Sequence, residues 1–191
     1  WKYPGDSGGP IKVKWSHDNN ISISNIYWPT PTLIPYEPLM TYGYKNFVIF
    51  PFEITNSNNK NSYIEANIDF LICDDICVPE KALIKTNLDE IKSDPSLNDW
   101  FLKVPDQILP VKASVDNEYI NIRFSSPFDV SSAIFFVDEQ DIVEHAENQK
   151  LSKEENNYLL SIKKVDYMES VENLSGVLSL KNNGSFIIDG A

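Results

Sequence analysis

Phe70-Leu71-Ile72-Cys73-Asp74-Asp75-Ile76-Cys77-Val78-Pro79-Glu80 contains the only two cysteines of the chain, four positions apart. Tyr63, Ile64, Ala66, Ile68, Phe70 and Ile72 lead into it, and Val78, Ala82 and Ile84 lead out. Alternation on both sides of a short polar loop predicts a β-hairpin with the cysteines at its tip. Two antiparallel strands crossing over so short a loop bring the two Cβ atoms within bonding range, so the geometry permits a disulfide. As a staple that bond would be weak. Closing a ring of about five residues gains roughly 2 kcal/mol on the chain-entropy model, against nearly 5 for a ring of about 100. A chain of 191 residues with 42% hydrophobic content can bury a core without such help. Three readings of the pair stay open on these grounds: a structural bond, two inert buried thiols, or a redox couple.

The residues upstream extend the pattern. Tyr42-Gly43 is followed by Phe47-Val48-Ile49-Phe50-Pro51-Phe52-Glu53-Ile54-Thr55, read as a strand, then by a polar loop, Asn56 to Ser62, and then by the cysteine hairpin ending Cys77-Val78-Pro79-Glu80. In this order the segment from Tyr42 to Leu88 resembles the periplasmic N-terminal domain of DsbD-type thiol:disulfide reductases. The three-residue spacer between the cysteines, and a second domain behind them, look closer to the ScsB-like branch. The resemblance covers the first half of the chain and is weak beyond it. It implies a protein-disulfide reductase domain in which Cys73 and Cys77 are the catalytic pair, Cys77 forming mixed disulfides and Cys73 resolving them. It implies that Tyr42, Gly43 and Tyr44 belong to a cap loop that shields the cysteines until a partner displaces it. The electron donor would be a thioredoxin-like domain of the same full-length membrane protein. The acceptor would be a periplasmic thioredoxin-fold protein: a disulfide isomerase, an ScsC-like protein or a cytochrome c maturation protein. The localisation implied is periplasmic, as a soluble domain of an inner-membrane protein, with no cofactor and no metal.

Composition is consistent with export and with strands. Twelve prolines, seven glycines and many aromatics suit a strand-and-turn protein of one or two domains. No run approaches the length of a membrane span, and no signal peptide is visible; because the sequence begins at Trp1, it is read as a processed or excised soluble piece. A net charge of −12 argues against nucleic acid and anionic membranes, since counterion release needs a basic face. Acidity of this kind serves solubility and steering toward basic partners, and the chain is expected to be a monomer.

Along the chain, Gly5-Asp6-Ser7-Gly8-Gly9-Pro10 matches the nucleophile signature of chymotrypsin-like proteases. There the histidine and aspartate precede the serine, and no room for them exists here, so the motif is read as a Gly-rich entry turn. Strands are expected at Ile11 to Trp15 and around Ile21, Ile23, Ile26 and Trp28, after which Pro29, Pro31, Pro35 and Pro38 should interrupt regular pairing. Ser93 or Asp94 can cap a short helix with Pro95 in its first turn, followed by a stiff Pro-containing linker to Pro110. Beyond it, Val111 to Val115 and Tyr119 to Phe124 read as a hairpin, with further strands at Ala133 to Val137, Ile142 to Ala146, Tyr158 to Ile162, Val177 to Leu180 and Phe186 to Ile188. Lys150 to Asn157 is charged and exposed and reads as either a long turn or one helical turn.

The fold expected is all-β: two tandem immunoglobulin-like β-sandwiches, residues 1–92 and 110–191, joined by a short helix and linker over 93–109. Two other functions compete. Soft thiolates four apart can hold Cu(I), with His145 or Met168 as a third ligand. An immunoglobulin-like interaction module could carry the pair as a structural disulfide. Asp74 and Asp75 separate the cysteines, and negative charge raises a thiol pKa, so a redox pair here waits to be attacked by a partner's thiolate.

Overall fold

The computed structural model describes residues 1–57, 62–74, 76–155, 157–168, 170 and 172–191, and every ladder within them is antiparallel. In the first β region, β1 (Lys12–His17), β2 (Ile21–Ile23), β3 (Thr32–Tyr36), β4 (Leu39–Gly43), β5 (Ile54–Asn56), β6 (Tyr63–Cys73) and β7 (Cys77–Asn87) follow in chain order. The long hairpin sets the frame. β6 and β7 pair without a slip from Tyr63↔Asn87 to Cys73↔Cys77, and β1 joins the free edge of β6. Period-two alternation puts Val13, Trp15, Ile64, Ala66, Ile68 and Ile84 on one face, where Phe50, Phe52 and Ile54 approach from the other layer. Trp15 and Phe52 touch with ring centroids 4.7 Å apart. Closure is incomplete: an apolar cavity of about 260 Å³ remains between the layers.

The second region is fuller. Its strands are β8 (Val111–Val115), β9 (Tyr119–Phe124), β10 (Ala133–Val137), β11 (Lys150–Glu154), β12 (Asn157–Lys163), β13 (Gly176–Leu180) and β14 (Gly184–Ile188). They make a four-stranded sheet in the order β11-β12-β9-β8 and a three-stranded sheet in the order β10-β13-β14. Both sheets turn their alternating apolar residues to one core, in which Ile120, Ile122, Leu160, Leu174 and Leu178 have no exposed surface. Each such side chain contributes about 1.5–3 kcal/mol relative to remaining in water. Gly176 is required where β13 passes β10: a Cβ there would lie 2.3 Å from the Phe136 carbonyl oxygen.

Between the regions lie two 3₁₀ segments, Leu88–Glu90 and Pro95–Lys103. The expected cap is present: Asp94 accepts from the Ser96 backbone N–H at 3.0 Å, with Pro95 just inside. The segment buries none of its residues, though Trp100 meets Phe47 with centroids 5.4 Å apart. The two regions touch directly as well. Trp1, Tyr42, Phe136 and Val177 form one buried cluster, and Lys2 pairs with Asp138 at 2.6 Å.

Several sequence expectations need correction. The strand read over 47–55 is a strand only from Ile54. Pro51 has no N–H to give a ladder, and the stretch before Ile54 makes two isolated backbone bonds to the earlier segment, Tyr27 N–H to Pro51 O and Ser24 N–H to Glu53 O. The same Ser24 and Tyr27 bonds replace the strand expected around Ile26 and Trp28. The proline-rich stretch, by contrast, does pair: β3 and β4 form a hairpin around a cis Glu37–Pro38 bond, and Pro35 is tolerated because the pair is a two-stranded ribbon with free edges. Ile142 to Ala146 makes only the bridge Val143↔Lys164. Lys150–Glu154, read as a turn, is edge strand β11, whose polar side chains suit solvent on its outer side. Residues 58–61 of the polar loop, and Asp75 between the cysteines, lie outside the described residues.

Candidate functional site

Register brings the site together. The unbroken β6–β7 ladder makes Cys73 and Cys77 cross-strand partners, and their sulfurs are joined in a disulfide with Cα atoms 4.0 Å apart. Asp74 N–H bonds to the Ile76 carbonyl at 3.2 Å, closing the tip. Both cysteines are exposed. Below the tip, the cross-strand pairs Asp69↔Lys81 and Glu65↔Lys85 are salt bridges of 2.8 and 2.7 Å. Glu65 also accepts from Tyr63 and Asn67; with Lys85 as the largest influence, these bonds hold its carboxyl down to about 2.

A broad cavity of about 750 Å³ runs beside the disulfide and is lined by Cys73, Cys77, Phe70, Tyr42, Tyr44 and Phe47 among others. The residues read as a cap line it from different depths. Tyr42 lies on β4, 2% exposed, its ring edge-on to Phe136 and its hydroxyl 2.8 Å from His145 Nδ1. Gly43 ends β4, where a Cβ would press on Ile34. Tyr44 donates to the Pro29 carbonyl at 2.7 Å and packs on Phe50. Burial raises the pKa of both tyrosines. Phe47, three residues on, is 70% exposed.

The Gly-rich motif sits on the same wall as an entry turn. Gly5 has φ +82° and backs onto the Met40 carbonyl, and the Ser7 hydroxyl meets that of Thr41. Neither histidine makes a hydrogen bond to Ser7: His17 Nδ1 lies against the Asp18 carbonyl, and His145 against Tyr42. Met168, weighed as a copper ligand, is part of the second region's core. Among the described residues, no group of three His, Cys, Asp or Glu is arranged to hold a metal ion.

With a disulfide at a hairpin tip and aromatic residues beside it, comparison with known proteins becomes informative. Residues 1–88 match the family model described as thiol:disulfide interchange protein DsbD, N-terminal. The match covers 88 of the 191 residues. Over 99% of this chain and 79% of the other, the fold is similar to the crystal structure of the N-terminal periplasmic domain of ScsB from Proteus mirabilis, with a TM-score of 0.73 and 17% identity. No curated protein sequence matches the chain.

Within this segment the sequence located the cysteines and named Tyr42, Gly43 and Tyr44, which line the cavity beside them. The contact between Tyr42 and His145 spans 103 positions and has no local signal. Ile72 and Val78 were read as hairpin alternation, yet they are 58% and 42% exposed around the disulfide, and Ile76 between the cysteines is 71% exposed. The signal available was their place at the tip, beyond the reach of the second layer.

Proposed function

We propose that this chain is a periplasmic thiol-disulfide exchange module, acting as a protein-disulfide reductase domain through Cys73 and Cys77. The observation that carries the reading is an exposed disulfide at the tip of the segment that matches the DsbD N-terminal family. In the reductive step a thiolate of a thioredoxin-like donor domain attacks Cys77 Sγ. A new S–S bond forms, the Cys73–Cys77 bond breaks, and Cys73 leaves as a thiolate that takes up a proton. The donor's second thiol then attacks the mixed disulfide and releases Cys77, so that two electrons and two protons have moved to the pair. Running the sequence in reverse against an oxidised thioredoxin-fold acceptor, a disulfide isomerase, an ScsC-like or a cytochrome c maturation protein, restores the disulfide. Tyr42, Gly43 and Tyr44, on the wall beside the pair, form its cap.

The domain limits proposed are 1–92 and 110–191, with 93–109 between them, each unit an immunoglobulin-like sandwich. For the second, support comes from strand order: β8-β9-β12-β11 against β10-β13-β14 is the order A-B-E-D against C-F-G of a seven-stranded constant-type domain. The chain acts as a monomer.

Equilibration in graded thiol buffers tests the reading. A potential between about −180 and −270 mV is the range of shuttling dithiols; a value below about −300 mV marks a structural bond and removes the proposal. The order of attack is tested separately. Cys73→Ser should trap a mixed disulfide with a thioredoxin-like partner, and Cys77→Ser should not.

A further inference from the structure

Single exposed apolar side chains are ordinary on protein surfaces, but a cluster around a reacting bond points to an interaction. Ile72 and Val78 are cross-strand partners one step below the cysteines, and Ile76 lies between the cysteines at the turn. All three are exposed, as are Cys73 and Cys77. An attacking sulfur must come within bonding distance of a cysteine Sγ, so any protein that carries it has to lie against these side chains. The surrounding charge is one-sided. Asp69 is matched by Lys81, whereas Asp74 and Glu80, both exposed, have no ion pair among the described residues, and the whole chain carries −12.

We propose that Ile72, Ile76 and Val78 form a docking collar that selects protein thiols whose surface around the attacking cysteine is apolar and bears basic residues. The inference rests on the exchange reading above and adds to it the residues that choose the partner. An acidic partner face is repelled by Asp74 and Glu80, and a polar one leaves the isoleucines in water. Small thiols are too small to cover the collar and gain nothing from it.

The test compares two reductants on the oxidised chain: dithiothreitol, and a thioredoxin-fold protein with a reduced Cys-x-x-Cys pair and a lysine beside it. Thiol release is followed for the wild type and for Ile76→Ser, with Val78→Ser as a second variant. The ratio of the protein-driven to the dithiothreitol-driven rate should fall about tenfold or more for Ile76→Ser, as expected for losing one buried isoleucine at the contact. Asp74→Lys should lower the same ratio and weaken its dependence on salt. An unchanged ratio in Ile76→Ser and Val78→Ser overturns the collar, as does a wild type that dithiothreitol reduces and the protein reductant does not. If neither reductant opens the wild-type bond, the exchange reading itself falls.

Discussion

Tyr42 is where the two β regions exchange a specific contact. Its ring is edge-on to both Phe136 and His145, and its hydroxyl bonds to His145. Tyr42→Phe keeps the packing and removes the bond, so urea unfolding should report a loss of about 1 kcal/mol. Burial holds the His145 imidazole below its ordinary value of 6.5, an effect that Asp6, Asp141 and Glu144 oppose in part. The unfolded chain therefore takes up this proton before the folded one does. Stability from this group is complete above about 6.5 and declines as the pH falls below it, until the folded imidazole also charges. NMR titration should place the His145 midpoint below the ordinary value, and the decline in urea midpoint between neutral pH and pH 5 should shrink in His145→Gln. The contact itself was not legible in the sequence, where His145 stood in the stretch Ile142 to Ala146, read as a strand, and was weighed as a copper ligand. What decided its role was a partner in another region. Cys73 and Cys77 were legible because the pattern that pairs them is local.

At the scale of elements, legibility followed the clarity of alternation. β6 and β9 alternate apolar and polar residues and were found, and β13 was found as a short apolar run. β11 was missed because Lys150, Ser152, Lys153 and Glu154 leave only Leu151 to signal a face. The β3–β4 hairpin was missed because prolines disfavour central strands and say less about a free two-stranded ribbon. The β6–β7 ladder also carries charge chemistry. Glu65, held down to about 2, should stay ionised through the usual carboxylate range when followed by NMR, and Lys85→Gln should move its midpoint up. Its folded value lies below its unfolded one. The stability it gives is thus present above about 4.5 and lost as the pH falls toward 2. In the other region, Gly176→Ala forces a methyl against the Phe136 carbonyl and the Phe135 ring, and should cost about 1–3 kcal/mol in chemical denaturation.

For the whole molecule, the question is whether the two regions behave as one. Phe136 is 3% exposed, and it belongs to β10 of the second region while packing on Tyr42 of the first. Phe136→Ala should cost about 3–5 kcal/mol, and calorimetry should show one unfolding transition resolving into two as the contact is lost. Two β regions with a short helical connection were readable from where the strand pattern stops at Leu88 and restarts at Val111. Their contact was not, because Trp1, Tyr42, Phe136 and Val177 are drawn from four separate stretches. The eleven-residue register of β6 on β7 has a last consequence. It runs to the cysteines themselves, so backbone pairing, rather than sulfur, keeps them face to face once the bond is opened. A reduced pair held in this way stays poised to close, at the high effective concentration of neighbouring groups. On the exchange proposed above, a pair held in this way gives up its electrons without any change in the backbone that carries it.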